Sequence, residues 1–365
     1  MNIFNRFKKI KNISGVISDD RPKEEKEKDY NTKEILATAT PLNYITWEEW
    51  KIKPENIKML SDIEVNNQNN VGSCASQAGS LALAINNYIE DKRFLKLSAK
   101  PIYARRKNKT SAGMYMDDLG NICIEFGTVP ESLYSSPNDT DANMSNLNDY
   151  LTAFESMGKV LRAKNYFWLY DTKNIDSFAQ ILALGKPVVM TVIFGDGEFE
   201  TMDPEVKPVP TKYGHAITIL PNAYFTYQGK KAILIQNSWG DWRYYGGRQI
   251  LTEDWFIKNR VVCGIWFEDL NNLALWNFNI AKPKYKFTND LSFGMKNSEV
   301  AMLQRCLGYE HDSNGYMFPL YQSPTGYFGG LTQKAVERFQ SKYGIEPPVG
   351  YCGIKTRTKL NELFK

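Results

Sequence analysis

Residues 68–78 read Gln68-Asn69-Asn70-Val71-Gly72-Ser73-Cys74-Ala75-Ser76-Gln77-Ala78 and run directly into an apolar segment that ends at Ile89. This pattern predicts a loop that leads into a helix, with Cys74 at the junction. Free backbone N–H groups and the positive end of the helix dipole favour a thiolate there. Gln68 and the Cys74 backbone N–H could together hold an oxyanion. The stretch therefore predicts a nucleophile, although a lone cysteine is more often a small buried hydrophobe.

A base and an orienting group for this thiol occur further along the chain. His215, one of two histidines, begins an apolar run of strand type within Lys212-Tyr213-Gly214-His215-Ala216-Ile217-Thr218-Ile219. A second run of this type, 231–236, ends in Asn237-Ser238-Trp239-Gly240. The Asn237 amide can fix the histidine tautomer, and Trp239 can shield that hydrogen bond from water. These residues predict a catalytic set in the order cysteine, histidine, asparagine.

Together, these segments resemble the papain-like cysteine peptidases. That family has a glutamine before a G-S-C loop, a histidine at a strand start and an N-S-W-G motif, with about 130–150 residues from cysteine to histidine and asparagine. The resemblance covers roughly residues 42–269. It implies the catalytic residues Cys74, His215, Asn237 and Gln68, and the substrate-binding residues Gly113, Met114, Tyr115, Gly214 and Trp239. Two positions depart from the family pattern: Ala75 replaces an aromatic residue, and Val71 replaces a half-cystine.

The fold class follows from the change in pattern along this region. Helix signals continue to Tyr134, and apolar runs separated by glycine and proline follow Tyr166. Residues 42–60 are expected to form an extended entry to the nucleophile loop, and the apolar stripe at 75, 78, 79, 82 and 85 is expected to be core. We therefore predict an α+β, papain-like fold of two subdomains, a helical half and a β-rich half with a cleft between them.

A second pattern begins after residue 289. Met302-Leu303-Gln304-Arg305-Cys306-Leu307 reads as a helix with Ser298 as its N-cap. Two further units, 326–340 and 349–360, each contain a glycine turn, a threonine suited to starting a helix, and an amphipathic helix. Cys306 and Cys352 are expected to fill the core. The insertion 308–324 reads either as a wider sugar-stacking surface or as a plain loop.

This region resembles the three-helix peptidoglycan-binding domain of bacterial and phage cell-wall enzymes. The L-Q-x-x-L, F-G-x-x-T-x-x-A-V-x-x-F-Q and G-x-x-T-x-x-x-L signals occur in order. The resemblance implies a small all-α domain that binds peptidoglycan. Its core is expected to form through the apolar residues Leu303, Leu307, Val336, Phe339, Leu360 and Leu363.

The N-terminal residues carry other signals. Residues 1–13 form either an amphipathic helix, for docking to a membrane surface, a virion or a partner groove, or a frayed basic arm. Residues 18–34 are charge-rich and read as a flexible linker. Neither segment has the apolar core of a signal peptide. The predicted organisation is 1–40 arm and linker, 41–270 peptidase domain, 271–289 linker and 290–365 peptidoglycan-binding-like domain.

Composition narrows the function classes. The 365 residues are 42% hydrophobic and 24% charged, with a net charge of +4, which gives no reason to expect a nucleic-acid partner. Five cysteines without a C-x-x-C pair argue against a disulfide framework or zinc knuckle, and two histidines argue against a histidine-rich metal site. We expect no cofactor and no metal.

Two functions of different class follow. The first is a cysteine peptidase that hydrolyses peptide bonds in a protein or peptide substrate and is targeted to the bacterial cell wall by its C-terminal domain. The second is a non-catalytic wall-binding or phage virion structural protein that retains a papain-like shell. A glutamine-hydrolysing or transferase enzyme would also use a cysteine nucleophile with a histidine base, but the N-S-W-G motif favours the peptidase. A wall-binding domain without a secretion signal predicts that the protein reaches the cell wall through a phage or by non-classical export. Otherwise the protein is expected to be cytoplasmic.

Overall fold

The computed structural model describes residues 15–17, 21–26, 29, 32, 42–91, 94–109, 111–148, 150, 152–240, 246–258, 260–268, 282–312, 315–316 and 326–365. The chain divides into two compact units, residues 1–273 and 274–365. Each unit has its own hydrophobic core, so each is described by itself.

The first unit contains short N-terminal elements, then a group of helices, then a sheet. Its helices are α1 (Lys23–Lys26), α2 (Trp47–Lys51), α3 (Pro54–Asp62), α4 (Cys74–Asp91), α5 (Lys100–Ala104), α6 (Met116–Glu125), α7 (Asp141–Ser145), α8 (Thr152–Val160), α9 (Ile175–Ala183) and α10 (Glu253–Phe256). Its strands are β1 (Val16–Ile17), β2 (Ile45–Thr46), β3 (Met114–Tyr115), β4 (Tyr166–Leu169), β5 (Val188–Phe194), β6 (Tyr213–Tyr227), β7 (Lys230–Gln236), β8 (Arg248–Thr252) and β9 (Val261–Phe267).

Most of these strands form one sheet in the order β4-β9-β5-β6-β7-β8, in which neighbouring strands are antiparallel. The short strand β2 adds to β6 in parallel. The long strand β6 starts with the Gly214-His215 pair and lies opposite β5, with His215 facing Val192 in the register. The helical half followed by a β-rich half confirms the predicted α+β class.

Helix α4 packs between the helices and the sheet. On the sheet side, the Thr218 hydroxyl of β6 donates to the Ala78 carbonyl at 3.2 Å. On the helix side, a Cβ on Gly79 would lie 2.4 Å from Leu119 of α6, so glycine permits the close approach of the two helices. All positions of the predicted apolar stripe are buried. The helix that begins at Cys74 is therefore fixed on both sides by the core.

The sequence analysis predicts an extended entry to this helix, but the structure shows that the entry is helical. Helices α2 and α3 occupy most of residues 42–60. A capping box begins α2, because Thr46 Oγ1 accepts from the Glu49 N–H and Glu49 Oε2 accepts from the Thr46 N–H. Pro54 then occupies the first turn of α3, where its missing N–H costs nothing. Local capping therefore produced two helices in a segment whose apolar anchors alone suggested an extended chain.

The charged N-terminal segment also differs from the predicted flexible linker, at the residues that the structure describes. Arg21 pairs with Asp29 at 2.8 Å and lies over the Trp168 ring. Thr32 is buried, and its hydroxyl donates to the Trp168 carbonyl at 2.6 Å. These contacts hold the segment against β4 of the first unit. Residues 1–13, with both interpretations of the basic arm, lie outside the described residues.

The second unit is a three-helix domain, as predicted. Its elements are α11 (Ser298–Tyr309), β10 (His311–Asp312), β11 (Gly315–Tyr316), α12 (Gly330–Lys342) and α13 (Ile354–Phe364). Cys306 and Cys352 are fully buried in its core. Five of the six apolar residues predicted for the core are also buried there. The sixth, Leu363, is half-buried and packs against them. Much of the insertion 308–324 lies outside the described residues, so both interpretations of it stay open.

Three details of this unit differ from the sequence analysis. Asn297, not Ser298, caps α11 by accepting from the Val300 N–H at 2.9 Å. Thr332 and Thr356 lie inside α12 and α13, whose N-caps are glycines. The unit also begins before residue 290.

Residues assigned to the linker 271–289 contribute to the core of the second unit. Phe287 is 1% exposed, and its backbone N–H donates to Asn361 of α13. The Tyr285 backbone N–H donates to the Phe364 carbonyl at 2.7 Å. The boundary between the two units, at residues 273–274, therefore lies well before residue 290. Within the part of the chain that the structure describes, every helix is too short or too polar to span a membrane.

This boundary predicts a difference between two fragments. Residues 282–365 should unfold cooperatively, whereas residues 290–365 should lose about 3–5 kcal/mol of unfolding free energy because the site of Phe287 is left empty. Urea denaturation followed by circular dichroism measures the difference. Equal stability of the two fragments would contradict the assignment of Tyr285 and Phe287 to the core.

Candidate active site

The hydrogen bond between His215 and Asn237 defines the candidate site. His215 Nε2 and Asn237 Oδ1 are 2.8 Å apart, and both residues are buried. The Ser238 backbone N–H donates to the same Asn237 Oδ1 at 2.7 Å, so this atom must be the amide oxygen. An oxygen acceptor requires His215 Nε2 to carry the proton. His215 Nδ1 therefore keeps a lone pair and can act as a base.

The thiol of Cys74 lies against the strand that carries this histidine. Cys74 is the first residue of α4, as the sequence predicts, and its Sγ accepts a hydrogen bond from the backbone N–H of Ala216. Ala216 directly follows His215 in β6. The packing of α4 against β6 thus brings the nucleophile candidate and the base candidate together from distant parts of the chain.

Gln68 is fixed in the same site through Ser238. The Ser238 hydroxyl donates to Gln68 Oε1 at 2.6 Å, and Gln68 Nε2 donates to the Val71 carbonyl at 2.9 Å. Gln68 is fully buried. The sequence analysis did not assign a role to Ser238, although its place inside the N-S-W-G motif was a signal that could have suggested one.

An aromatic enclosure surrounds the histidine. The Trp239 ring stacks on His215 with centroids 4.8 Å apart and an interplanar angle of 26°. Phe194 and Phe199 close two further sides, with ring centroids 5.7 and 6.5 Å from the imidazole. Because these rings exclude water, they protect the His215–Asn237 hydrogen bond from competition. The role of Trp239 was predicted, but that of Phe194 was not.

A buried ion pair lies next to this aromatic enclosure. Glu198, next to Phe199 in the chain, lies 3.2 Å from Arg260 and accepts from Trp255 Nε1 at 2.8 Å. Both charged side chains are at most 8% exposed. Removing one partner would leave the other buried and uncompensated, so the pair holds this loop strongly in place.

Three of the predicted substrate residues, Gly113, Met114 and Tyr115, occupy one edge of the site. A Cβ on Gly72 would lie 2.9 Å from the Gly113 nitrogen, so the nucleophile loop lies directly against this edge. The resemblance implies that the Gly113 backbone pairs with a substrate, but its N–H donates to Tyr103 Oη and its carbonyl accepts from Asn108. The donor that this edge presents is Met114, with Tyr115 half-buried beyond it. Gly214 is half-buried and pairs with Ile193 in the sheet.

No group of three or more His, Cys, Asp or Glu side chains suited to a metal ion occurs among the residues that the structure describes.

Comparison with solved structures places the first unit. Xylellain, a cysteine protease from Xylella fastidiosa, is 18% identical, with 72% of this chain and 97% of that chain covered and a TM-score of 0.52. Procathepsin L2 from the larval midgut of Tenebrio molitor is 20% identical, with 74% and 83% covered and a TM-score of 0.54. The first unit has the papain-like fold. At such identities the likeness extends to the fold alone.

The second unit is recognised from its sequence. A family model described as "Putative peptidoglycan binding domain" matches residues 296–360. The chain therefore combines a papain-like unit with a peptidoglycan-binding-type domain. A search of curated protein sequences finds no match.

The site of the papain-like unit is covered by the chain's own N-terminal segment. Strand β1 pairs in parallel with β3, with Val16 opposite Met114, and the Met114 N–H donates to the Gly15 carbonyl at 3.1 Å. A Cβ on Gly15 would lie 2.2 Å from Cys74 Sγ. Gly15 therefore lies directly on the thiol, and only glycine fits there. Nothing in the sequence of this segment indicated the contact.

Burial, under this segment at the thiol and among the three aromatic rings at the histidine, sets the charge state of the site. It raises the pKa of the Cys74 thiol to about 12, although hydrogen bonds from Ala216 and the α4 N-terminus act in the opposite direction. It lowers the pKa of His215 to about 4, against a smaller opposing effect of Asn237. The expectation of a thiolate is thus wrong for the covered arrangement, because desolvation outweighs the helix dipole. The covered pair is a neutral thiol beside a neutral imidazole.

Adding one methyl group to Gly15 should uncover the thiol. Gly15→Ala forces the segment away from Sγ, and overpacking of this kind costs about 1–3 kcal/mol, so iodoacetamide should label Cys74 about 5- to 100-fold faster. Gly330→Ala is the matched control, since a Cβ there meets no atom within 4 Å. Unchanged labelling of Cys74 in Gly15→Ala, measured by peptide mass spectrometry, would contradict the covering role.

The covered form should also open in acid. The ordinary pKa of histidine is 6.5, whereas that of the covered His215 is about 4. Between these pH values an uncovered His215 is protonated and the covered one is not. The cover therefore keeps its full stability above pH 6.5 and loses up to about 3 kcal/mol as the pH falls to 4. Hydrogen exchange of the Met114 N–H, corrected for its intrinsic pH dependence, measures the opening. The same measurement on His215→Asn should show no such dependence, and a similar acid response in that variant would refute His215 as the cause.

Proposed function

We propose that this protein is a cysteine peptidase of the papain type that acts through Cys74, His215, Asn237 and Gln68, and that its second unit directs it to the bacterial cell wall. The observation that carries the proposal is the orientation of Asn237. Its amide oxygen, fixed by the Ser238 N–H, keeps the proton of the imidazole on Nε2 and leaves Nδ1 with a lone pair that can take up a proton.

In the proposed reaction His215 Nδ1 first accepts a proton and later donates it. His215 Nδ1 takes the Cys74 proton, and the thiolate attacks a peptide carbonyl carbon. The imidazolium then protonates the leaving amine, which departs as the thioester forms. Water, deprotonated by His215, hydrolyses the thioester and returns the thiol. Asn237 accepts from Nε2–H throughout, so it holds the ring in one orientation.

Two N–H donors are proposed for the oxyanion of each step, the second being the amide hydrogen of Gln68 that is not donated to the Val71 carbonyl. The Cys74 backbone N–H lies at the free N-terminus of α4, and Gln68 Nε2 belongs to a side chain that is anchored by Ser238. One such donor contributes roughly a factor of 10²–10³ to the rate. Because Ser238 already holds the Gln68 side chain before a substrate binds, that side chain needs little reorganisation during the reaction.

The covering segment supports a class of substrate. Val16, which lies opposite Met114 in the cleft, is 8% exposed, and Met114 is fully buried. An apolar side chain is therefore well accommodated at this edge. This agrees with the preference that the resemblance implies, an apolar or aromatic residue two positions before the cut. Met114 and Tyr115 would border that side chain, with Gly113 supporting them, and Gly214 and Trp239 would line the opposite wall.

The site of action follows from the second unit. A domain of the peptidoglycan-binding type supports action at the cell wall, on a protein or on a stem peptide of peptidoglycan. Delivery in a phage virion or by phage-mediated release remains part of the proposal, as does docking to a virion or membrane surface through residues 1–13.

The alternative is a non-catalytic wall-binding or virion protein with a papain-like shell. One observation favours the enzyme over this alternative. The hydrogen bonds of Ser238 join Gln68 to Asn237, and this linkage has a clear use in an oxyanion hole and none in wall binding.

Activity should appear when the cover is removed. The chain beginning at Leu42 should cleave a peptide library and a denatured protein, with apolar or aromatic residues enriched two positions before the cut. The same chain with Cys74→Ala should be inactive, and Gln68→Ala should lower kcat by about 10²–10³ with KM nearly unchanged. Thermal unfolding checks that the variants are folded. A folded, uncovered chain that shows no Cys74-dependent cleavage would support the non-catalytic alternative.

A further inference from the structure

The backbone of the first unit turns at Gly113, directly before the edge strand β3. The φ angle of this residue is +90°, in the left-handed region that favours glycine. Its N–H donates to the Tyr103 hydroxyl oxygen at 3.2 Å, and its carbonyl accepts from Asn108 at 2.9 Å. The next N–H, that of Met114, donates at 3.1 Å to the Gly15 carbonyl in the cleft. Two neighbouring N–H groups therefore serve different partners, one inside the protein and one in the cleft.

The hydroxyl of Tyr103 has a fixed role in this turn. Tyr103 belongs to α5 and is fully buried, and its hydroxyl donates to Asp141 Oδ1 at the start of α7. Burial and the bond to this carboxylate raise the pKa of Tyr103, so the phenol keeps its proton. A phenol has one hydrogen to donate, and Asp141 takes it. The lone pairs of the oxygen therefore remain for the Gly113 N–H.

The ring of Tyr103 is fixed as well. The Arg106 guanidinium carbon lies 3.6 Å from the ring centroid, and Arg106 is 1% exposed. Arg106 also donates to the Ser111 carbonyl at 3.0 Å, two residues before Gly113, and to the Ser145 hydroxyl at 2.9 Å. Ser145 is the last residue of α7. One tyrosine–arginine pair thus joins the turn before β3 to both ends of α7.

We propose that Tyr103 is a positioning residue for the substrate, because its hydroxyl holds the turn at Gly113 that presents the Met114 N–H to a main chain in the cleft. The inference rests on the proposed peptidase activity and adds a residue to it. The covering segment shows the bond in question, since its Gly15 carbonyl accepts from Met114 where a substrate carbonyl would. Loss of the hydroxyl should therefore weaken substrates that reach this edge and spare those that do not.

Two substrates separate this role from general support of the fold. The first is a peptide with several residues before the cut and an apolar one two positions before it. The second is p-nitrophenyl butyrate, an ester that can react with the thiol but has no amide carbonyl to accept from Met114. Both require an uncovered Cys74, so the ratio of their kcat/KM values, peptide over ester, does not depend on how often the cover opens. Both are assayed with the full-length chain carrying Gly15→Ala, and the same chain with Cys74→Ala gives the background.

In this parent, Tyr103→Phe should lower the ratio about 2- to 10-fold, mainly through a higher KM for the peptide. The change keeps the ring beside Arg106 and removes only the hydroxyl. Asp141→Ala, at a half-buried position, is a second variant that frees the hydroxyl hydrogen, and it should lower the ratio in the same direction.

Tyr134→Phe is the matched control. Tyr134 is 8% exposed, and its hydroxyl donates to the Asn146 carbonyl at 3.3 Å. This change also removes a buried hydroxyl but no bond to Gly113, so the ratio should stay at the parent value. Thermal unfolding checks that each variant is folded.

A further readout uses no substrate. In the full-length chain with Gly15 intact, Tyr103→Phe should raise the rate at which iodoacetamide labels Cys74 about 2- to 10-fold, because the bond from Met114 to the cover is weakened. Tyr134→Phe should leave that rate unchanged. Equal labelling of Tyr103→Phe and its parent would contradict the hold of Tyr103 on the edge.

The cleavage assay distinguishes the two proposals. If the parent shows no Cys74-dependent cleavage of either substrate, the proposed peptidase activity is wrong and the substrate role of Tyr103 falls with it. If the parent cleaves both and folded Tyr103→Phe keeps the parent ratio, the positioning role is wrong while the peptidase stands. A fall of the same size in Tyr134→Phe would also overturn the positioning role.

Discussion

The candidate site depends on one chain of hydrogen bonds, which runs from His215 through Asn237 and Ser238 to Gln68. It links the end of β7 to the start of β6 and to the loop before α4. Each bond fixes the direction of the next, because Asn237 Oδ1 accepts from both the imidazole and the Ser238 N–H. In a buried setting, an unmade bond in this chain would leave a polar group without a partner, so the arrangement has few alternatives. The orientation of the imidazole and of the Gln68 amide follows from this constraint.

The same burial that protects this network also keeps it neutral. Helix α4 offers its N-terminus to Cys74, which by itself would favour a thiolate. The segment at Gly15 removes water from the thiol, and the cost of burying a charge is larger than the benefit of the helix dipole. The balance therefore depends on whether water reaches the site, and not on the residues that surround the thiol alone. A nucleophile whose charge depends on access is controlled by whatever occupies the cleft.

The second unit reaches its stability by a different route. A domain of this size has a small core, so polar groups inside it must be fully satisfied. Gln304 and Gln340 achieve this by bonding a turn and a threonine each, in two copies of one arrangement. Repetition also places two tyrosines in the same setting, each over a glycine.

Much of this protein could be predicted from its sequence, for physical reasons that are local. The loop before Cys74, the strand start at His215 and the N-S-W-G motif each act over a few residues, and they indicated the fold class and the four site residues. The repeated units of a glycine turn and an amphipathic helix indicated the three-helix domain in the same way. Local signals were weaker where two choices were nearly equal, as between Asn297 and Ser298 for the cap of α11.

Tertiary structure alone decided the features that join distant residues. The contact of Gly15 with Cys74, the place of Phe287 in the second core and the bond from Ser238 to Gln68 each depend on how whole elements pack. So does the charge state of the site, because a pKa depends on the water that other segments exclude. A sequence lists the groups that can react and the turns that present them. Which of them are buried, and by what, is determined only when the chain has folded.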